Sequence, residues 1–336
     1  MSDIKFESNP SKNSRRRLKL PDTICGLYNL STLRLVCCSN LTKLPENMGN
    51  LINLKHLYVD GCGLLKSFPK VIGRLTSLQT LDVCSCGGDK DEEFQIGDLR
   101  NLNLEGRQTN SAEILNALRP HPDLESLRIW SYNGTMWPNW IQSLHNLRFL
   151  TVRWGTPCEL WPLGKLECLE RLVLYSMEGV KKVGVEFLGL EDQTSFRIRS
   201  PQILFPKLKQ LHFYNMSNWE EWEGVEEWTK EDSEITIMPC LSELRIGGCE
   251  LLKALPDFIF KTPLQTLASS DVGDLQSITK KAMESGLRFL LTSAFTPEDF
   301  SNEYERCFDL PNLVNLPKLI YTRDPIEAIR VIMGAL

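Results

Sequence analysis

Residues 41–81 read LTKLPENMGNLINLKHLYVDGCGLLKSFPKVIGRLTSLQTL. Through this stretch and on either side of it, one pattern returns at a fixed interval. Leu33, Leu57 and Leu81 stand 24 residues apart. Leu30, Leu54 and Leu78 keep the same step, as do Leu35, Val59 and Val83, and Cys38, Cys62 and Cys86. Pro21, Pro45 and Pro69, Ile24, Met48 and Ile72, and Leu27, Leu51 and Leu75 complete the set. Each unit reads L-x-x-L-x-L-x-x-C-x-x-L-x-x-L-P. The L-x-L alternation predicts a short strand with one buried face. Proline lacks an N–H and fixes φ, so the path back to the next strand is predicted to be irregular or 3₁₀-like. Strands repeated at equal steps in one direction pair in parallel, with the leucine positions stacked inside and the intervening residues facing out.

The period continues with drift. Leu124, Leu127 and Ile129 form the next clear strand, then Leu147, Leu150 and Val152, and Leu169, Leu172 and Leu174. Leu208, Leu211 and Phe213 follow, then Leu241, Leu244 and Ile246. The steps between their central leucines are 23, 22, 39 and 33 residues, so the two long steps are insertions that become loops on one face. Leu99, Leu102 and Leu104 suggest another strand, and 111–118 a helix. Beyond Leu264 and Leu267, Ser269 occupies a position due for an apolar residue. Leu287 to Leu291 reads as a strand. Asp324, Pro325 and Glu327 form a helix start, with Ile326, Ile329, Met333 and Leu336 on one face. A chain of 336 residues exceeds one ordinary core, but repeat units escape that limit because each packs only on its neighbours. The expected domains are a disordered polar flank over 1–17, repeats over 18–267, and a non-repeat cap or small α/β unit over 268–336. Leu18, Leu20 and Pro21 look like the end of a repeat whose beginning is absent, which points to a truncated or partial product with an open strand edge.

Outward positions on consecutive parallel strands stack into columns roughly 4.8 Å apart. One column reads Arg34, Tyr58 and Asp82, then Arg128, Thr151, Val173, His212 and Arg245. The next reads Val36, Asp60 and Cys84, then Trp130, Arg153, Tyr175, Tyr214 and Gly247. Arginines and aromatics are the types enriched at binding hot spots. The candidate ligand-binding residues are therefore Arg34, Tyr58, Asp60, Asp82, Arg128, Trp130, Arg153, Tyr175, His212, Tyr214 and Arg245.

Other features have plainer readings. Net charge is −5, which argues against a general nucleic-acid binder, and Arg15, Arg16 and Arg17 read as a solvated flank. No apolar run approaches the ~20 residues of a membrane span, and the first residues lack a signal-peptide core. A cytoplasmic or nuclear location with mostly free thiols is expected. Cys38, Cys62, Cys86 and Cys249 fall where the chain leaves the strand, a place for a small buried side chain rather than a zinc ligand. Cys84 points outward and is the candidate reactive thiol. His56, His121, His145 and His212 belong to no nucleophile or metal motif, so neither catalysis, a metal nor a cofactor is expected. Between Trp219 and Glu234 stand eight acids, three tryptophans and one lysine. Trp219 and Trp222 fall where Leu41 and Leu44 fall in their repeat and are expected in the core, with Trp228 and the acids beyond it in a loop.

The strand pattern with cysteine at its end resembles the repeats of plant intracellular immune receptors. The segment quoted above carries the resemblance. So do ILNALRPHPDLESLRIWSYNGTMWPNWI (114–141), LGKLECLERLVLYSMEGVKKVGVEFLG (163–189) and FPKLKQLHFYNMSNWEEWEG (205–224), which are similar to segments of the coiled-coil class. The resemblance covers roughly residues 18–267. It implies an α/β leucine-rich-repeat solenoid, a horseshoe with a parallel β-sheet on the concave face and irregular, 3₁₀ or short helical convex segments. It also implies recognition of a protein ligand, a pathogen effector or a guarded host protein, in plant defence. No G-x-x-x-x-G-K-[ST] loop occurs; Gly164-Lys165 is followed by Leu166. The family's nucleotide switch is thus missing from this chain. A regulatory scaffold, or a receptor fragment bound to another chain's nucleotide-binding switch domain, is the competing expectation.

Overall fold

A computed structural model describes residues 2–7, 18–36, 38, 40–59, 62, 65, 68–84, 115, 118–132, 137–155, 159–190, 202–224, 235–273, 278, 281–282, 284, 288–291 and 320–322. The chain divides into two compact units, residues 1–121 with 320–336, and residues 122–319.

In the first unit, β1 (Ser2–Glu7), β3 (Leu30–Val36), β5 (His56–Val59) and β6 (Thr80–Cys84) pair in parallel in that order. A short ladder joins β2 (Leu18–Lys19) to β4 (Leu41–Lys43), and β18 (Ile320–Thr322) lies on the other side of β1. The register is the one the 24-residue step demands: Leu33 faces Leu57, and Leu57 faces Leu81. In the second unit the parallel order is β7 (Ser126–Tyr132), β8 (Phe149–Gly155), β9 (Arg171–Met177), β12 (Gln210–Tyr214), β15 (Glu243–Cys249), β16 (Thr266–Val272) and β17 (Arg288–Leu291). Two insertions add side ladders, β10 (Lys182–Val183) with β13 (Glu221–Trp222), and β11 (Gln202–Leu204) with β14 (Ile235–Ile237). Leu127, Leu150, Leu172, Leu211, Leu244 and Leu267 form one register line despite their unequal steps along the chain.

The prolines act as expected. Pro21, Pro45, Pro69 and Pro138 immediately precede 3₁₀ turns at Asp22–Gly26, Glu46–Asn50, Lys70–Arg74 and Asn139–Ser143. Pro162 precedes Leu163–Lys165, and Pro256 opens a one-turn α-helix, Asp257–Phe260. The proline carbonyl accepts the N–H three residues on, as from Met48 to Pro45 at 3.3 Å. That step repeats, from Leu51 to Met48 and from Leu54 to Leu51, and delivers the chain into the next strand. Every apolar position of the unit is spent in this circuit: Met48, Leu51, Leu54 and Leu57 are all fully buried.

The long steps are filled by aromatic volume. Trp219 and Trp222 are buried, as expected, against Phe213 at 4.8 and 5.3 Å between ring centroids. The Trp219 indole N–H donates to the Glu221 carbonyl at 2.9 Å, so the ring is buried without leaving a polar group unmet. Phe187 joins from the preceding repeat against Phe205 and Phe213. Gly164 allows that closure: a Cβ there would overlap the Leu188 carbonyl, and Phe205 N–H donates to the Gly164 carbonyl at 2.8 Å. Its role is close packing.

The two ends differ from the sequence reading. Residues 2–7, placed in a disordered flank, form β1, with Ile4 and Phe6 in register with Leu33 and Leu35. The alternation D-I-K-F-E is a strand signal without the preceding leucine that marks the repeat, so periodicity passed over it. At the other end, pairing runs past 267 through β16 and β17. Ser269 stands in register with Ile246 and Leu291 and is 1% exposed. Its hydroxyl meets no hydrogen-bond partner among the described residues. The strand over 99–104, most of the helix over 111–118 and the helix after Asp324 lie outside the described residues, as do Cys86 and Trp228.

Two stability predictions follow from this core. Trp219→Ala empties a fully enclosed site and is expected to cost ~3–5 kcal/mol. Ser269→Ala removes an unmet buried hydroxyl and is expected to gain about 1 kcal/mol. Urea denaturation at pH 7 measures both, and a stabilised W219A or a destabilised S269A would contradict this account of the core.

Candidate recognition surface on the strand face

The expected columns exist. Arg34 pairs in register with Tyr58, and Tyr58 with Asp82, within the first unit. In the second unit Arg128, Thr151, Val173, His212 and Arg245 are successive partners, and so are Trp130, Arg153, Tyr175, Tyr214 and Gly247. Exposure is less even than alternation suggests. Tyr58, Asp82, Trp130, His212 and Tyr214 point to the outward face yet are buried. Parallel strands set these side chains so close that long neighbours cover shorter ones; Arg34, for example, lies 4.7 Å over the Tyr58 ring. Arg34, Arg128, Arg153, Tyr175 and Arg245 remain partly exposed. Asp60 and the Cys84 side chain lie outside the described residues.

In the second unit the middle of the face is a stacked cluster. The Arg153 guanidinium sits 4.8 Å from the Trp130 ring centroid and 5.6 Å from that of Tyr175. Trp154 lies 5.3 Å from Trp130 and meets Tyr175 edge-on at 6.1 Å. The Asn215 side-chain amide donates to the Tyr175 hydroxyl at 2.7 Å, fixing that ring.

Sequence reasoning missed Trp154 and Asn215. Simple alternation turns both inward. The backbone instead enters the left-handed region at one register position in four successive strands: Trp154 (φ 53°), Ser176 (φ 51°), Asn215 (φ 51°) and Gly248 (φ 64°). Each non-glycine residue held there costs of order 1–3 kcal/mol, so neighbouring repeats must hold it. Asn215 and Gly248 are residue types that tolerate this region, a faint signal in hindsight.

Electrostatics order the start of the strands. Glu125, Arg148, Glu170 and Lys209 occupy one position in four successive repeats and alternate in sign. Arg148 meets Glu170 at 2.7 Å and Glu125 at 3.8 Å, and Lys209 meets Glu170 at 2.8 Å. Hydrogen bonds from Arg148 and then Lys209 hold the Glu170 carboxyl below its usual range. Farther along, Glu243 pairs with Arg245 and accepts from Gln210 at 2.8 Å. His212, enclosed beside Tyr214, is held well below the ordinary histidine range, first by burial and then by the charges of Arg171 and Arg245. It is neutral at pH 7.

The cysteines follow the structural reading. Cys38, Cys62 and Cys249 are buried where the chain leaves the strand. The Cys62 thiol donates to the Leu35 carbonyl at 3.1 Å. Burial pushes the Cys249 thiol up to about 12, and burial with the nearby Asp22 charge pushes Cys25 to about 11, so neither forms thiolate at neutral pH.

Glu170→Gln tests the charge ladder. A carboxyl whose folded pKa is depressed contributes stability above its unfolded value, and the contribution vanishes as pH falls through the folded value. The variant is expected to be less stable at pH 7 by up to about 1 kcal/mol, since its partners are partly solvated. The deficit should shrink below pH ~4 and in high salt. A deficit unchanged between pH 7 and pH 3 in urea melts would contradict the assignment.

Residues 94–177 match the family model described as R13L1/DRL21 leucine-rich repeats. An RPP13-like disease resistance protein of Arabidopsis thaliana is 33% identical over 157 residues, 46% of this chain and 14% of that protein. Disease resistance protein RGA2 of Solanum bulbocastanum is 28% identical over 152 residues, 43% of this chain and 14% of that protein. The chain therefore spans about a seventh of the length of these relatives. Among solved structures, the leucine-rich repeat domain of the type III effector XCV3220 (XopL) is 16% identical with a TM-score of 0.43, covering 86% of this chain and 80% of that one. Each unit is built of parallel leucine-rich repeats; the chain matches the R13L1/DRL21 leucine-rich-repeat model over residues 94–177 and is similar to plant disease resistance proteins.

Proposed function

We propose that this chain is a non-catalytic protein-recognition module of plant defence that reads a pathogen effector, or a host protein such an effector alters, on its strand face. The observation that carries this reading is the partly exposed Arg153–Trp154–Tyr175 cluster. Arg128 on β7 and Arg245 on β15 belong to the neighbouring outward column of the same parallel ladder. Rigid aromatics beside arginine supply contact area at low entropic cost, and that composition marks interface hot spots. The similarity to disease resistance proteins supplies the defence context. The reading has the protein at work in the cytosol or nucleus. Among the described residues no helix is long and apolar enough to cross a membrane.

The test is affinity capture of the tagged chain from plant cells, alongside two multiply substituted variants. One carries Arg128→Glu, Arg153→Glu and Tyr175→Ala on the strand face. The other carries Ile203→Asp and Leu251→Asp, exposed positions off that face. Proteins expected to be retained by the parent and the second variant should be depleted at least tenfold from the first. Equal capture by all three, with circular dichroism unchanged, would refute strand-face recognition. Should the depleted protein be a nucleotide-binding switch domain rather than an effector or its target, the chain is a regulatory scaffold using the same face.

A further inference from the structure

We infer that Trp137 and Trp161 form, between two successive turns of the second unit, a docking cleft for an uncharged proline-rich segment of a partner protein. Each tryptophan stands immediately before a turn proline, Pro138 or Pro162, and the two are 24 residues apart. In other described repeats the residue before that proline is a smaller one and belongs to the core: Leu20, Leu44, Phe68 and Leu255 are all buried. Trp137 and Trp161 fill the same place with larger rings, and part of each stays in solvent. A leucine closes the core there without a polar atom. Trp137 instead brings an indole N–H that is enclosed and meets no acceptor among the described residues. Buried donors are almost always met, and leaving one unmet costs stability. The other repeats close without an indole at this place; what the two tryptophans add is surface.

The cleft is lined by Trp137, Pro138 and Ile141 from one turn and by Trp161, Pro162 and Leu163 from the next. No strand residue lines it, so it is a site separate from the strand face. Its rings are already assembled: Trp137 stacks on Tyr132 at 4.4 Å and meets Trp161 at 3.7 Å between centroids. Little rotamer entropy is left to lose on binding. The space amounts to about 280 Å³, open to solvent at its mouth, which admits a prolyl ring and its neighbour and not a folded surface. Charge decides the kind of segment. Although 24% of the chain's residues are charged, the described lining holds no charged side chain; its polar groups are the Trp137 indole and the exposed carboxamides of Asn139 and Gln142. An acidic or basic segment would lose hydration there and find no counter-charge. The cleft offers a donor in need of an acceptor beside flat apolar rings. A proline-rich segment brings apolar rings and carbonyl acceptors, with no N–H at any proline, and it holds its extended conformation before it binds. Aromatic-lined grooves take such segments for these reasons.

The test uses the full chain labelled with ¹⁵N-tryptophan, whose eight indole N–H groups give one NMR signal each. The probe is acetylated, amidated decaproline, run beside a glycine–serine decapeptide. The signal lost in Trp137→Leu and the one lost in Trp161→Leu assign the two rings of the cleft. Both signals are expected to shift saturably with decaproline, that of Trp137 downfield as its N–H gains an acceptor. In anisotropy titrations with fluorescein-labelled decaproline, W137L and W161L should each bind at least tenfold more weakly than the parent. Both install a residue type that other repeats carry at this place, and W161L decides the matter by itself if W137L melts early. The strand-face variant with Arg128→Glu, Arg153→Glu and Tyr175→Ala should bind decaproline as the parent does. Signals that stay still, equal shifts with the glycine–serine peptide, or undiminished binding by the leucine variants would overturn the cleft and leave strand-face recognition untouched. Decaproline lost on the strand-face variant and kept on W137L and W161L would put the peptide on the strands and sink the cleft as its site.

Discussion

A repeat of this chain cannot bury its own apolar residues; only the next repeat can. That constraint fixes the register, and the register fixes nearly everything else. Leu33, Leu57 and Leu81 must meet because each has nowhere else to go, and a one-residue slip would turn each strand's apolar set to the solvent. The 3₁₀ bonds that begin at the carbonyls of Pro21, Pro45, Pro69 and Pro138 serve the same end. They return the backbone in a few residues, so that the next leucine arrives beside the last one. Where the chain takes 39 or 33 residues instead, the added volume is filled by Phe187, Phe205, Trp219 and Trp222, and the leucine register is undisturbed.

Because the register is imposed from inside, the outward positions are free to differ in kind while keeping their places. This separates stability from the make-up of the outward face in a way a single compact core does not. Arg153 and Tyr175 can be altered without touching a leucine column, although their neighbours are fixed to within a few ångströms. The same closeness also limits the face. Trp130, His212 and Tyr214 occupy outward positions and still lose their solvent contact to neighbours on adjacent strands. A surface that keeps arginines and aromatics on successive strands spends part of its chemistry on its own order, through contacts such as that of Asn215 with Tyr175.

The repeat was legible in the sequence because a 24-residue step repeats the same residue types at several positions at once. The fold, the 3₁₀ turns after proline, the core positions of Trp219 and Trp222 and the buried cysteines all follow from that one periodicity. The two outward columns follow too, since strand alternation needs no further information. Three things were not legible. β1 lacks the leading leucine of the repeat, so its alternation had no phase to join. Burial on the outward face depends on the conformations of long side chains, which no pattern encodes. Trp154 and Asn215 reach that face through a left-handed backbone step that alternation cannot express. Counting from Leu208 places Trp219 and Trp222 in the core, whereas Trp228 and the acids beyond it lie outside the described residues.

The alternating charges at Glu125, Arg148, Glu170 and Lys209 bear on how such a molecule could change its length. Excising the repeat that holds Arg148 would set Glu125 beside Glu170, and excising the one that holds Glu170 would set Arg148 beside Lys209. Removing or duplicating two adjacent repeats together restores the alternation. In this stretch the inheritable module is therefore a pair of repeats rather than one. Gains and losses by unequal crossing-over should be better tolerated in even numbers, a parity rule written along the rim of the sheet.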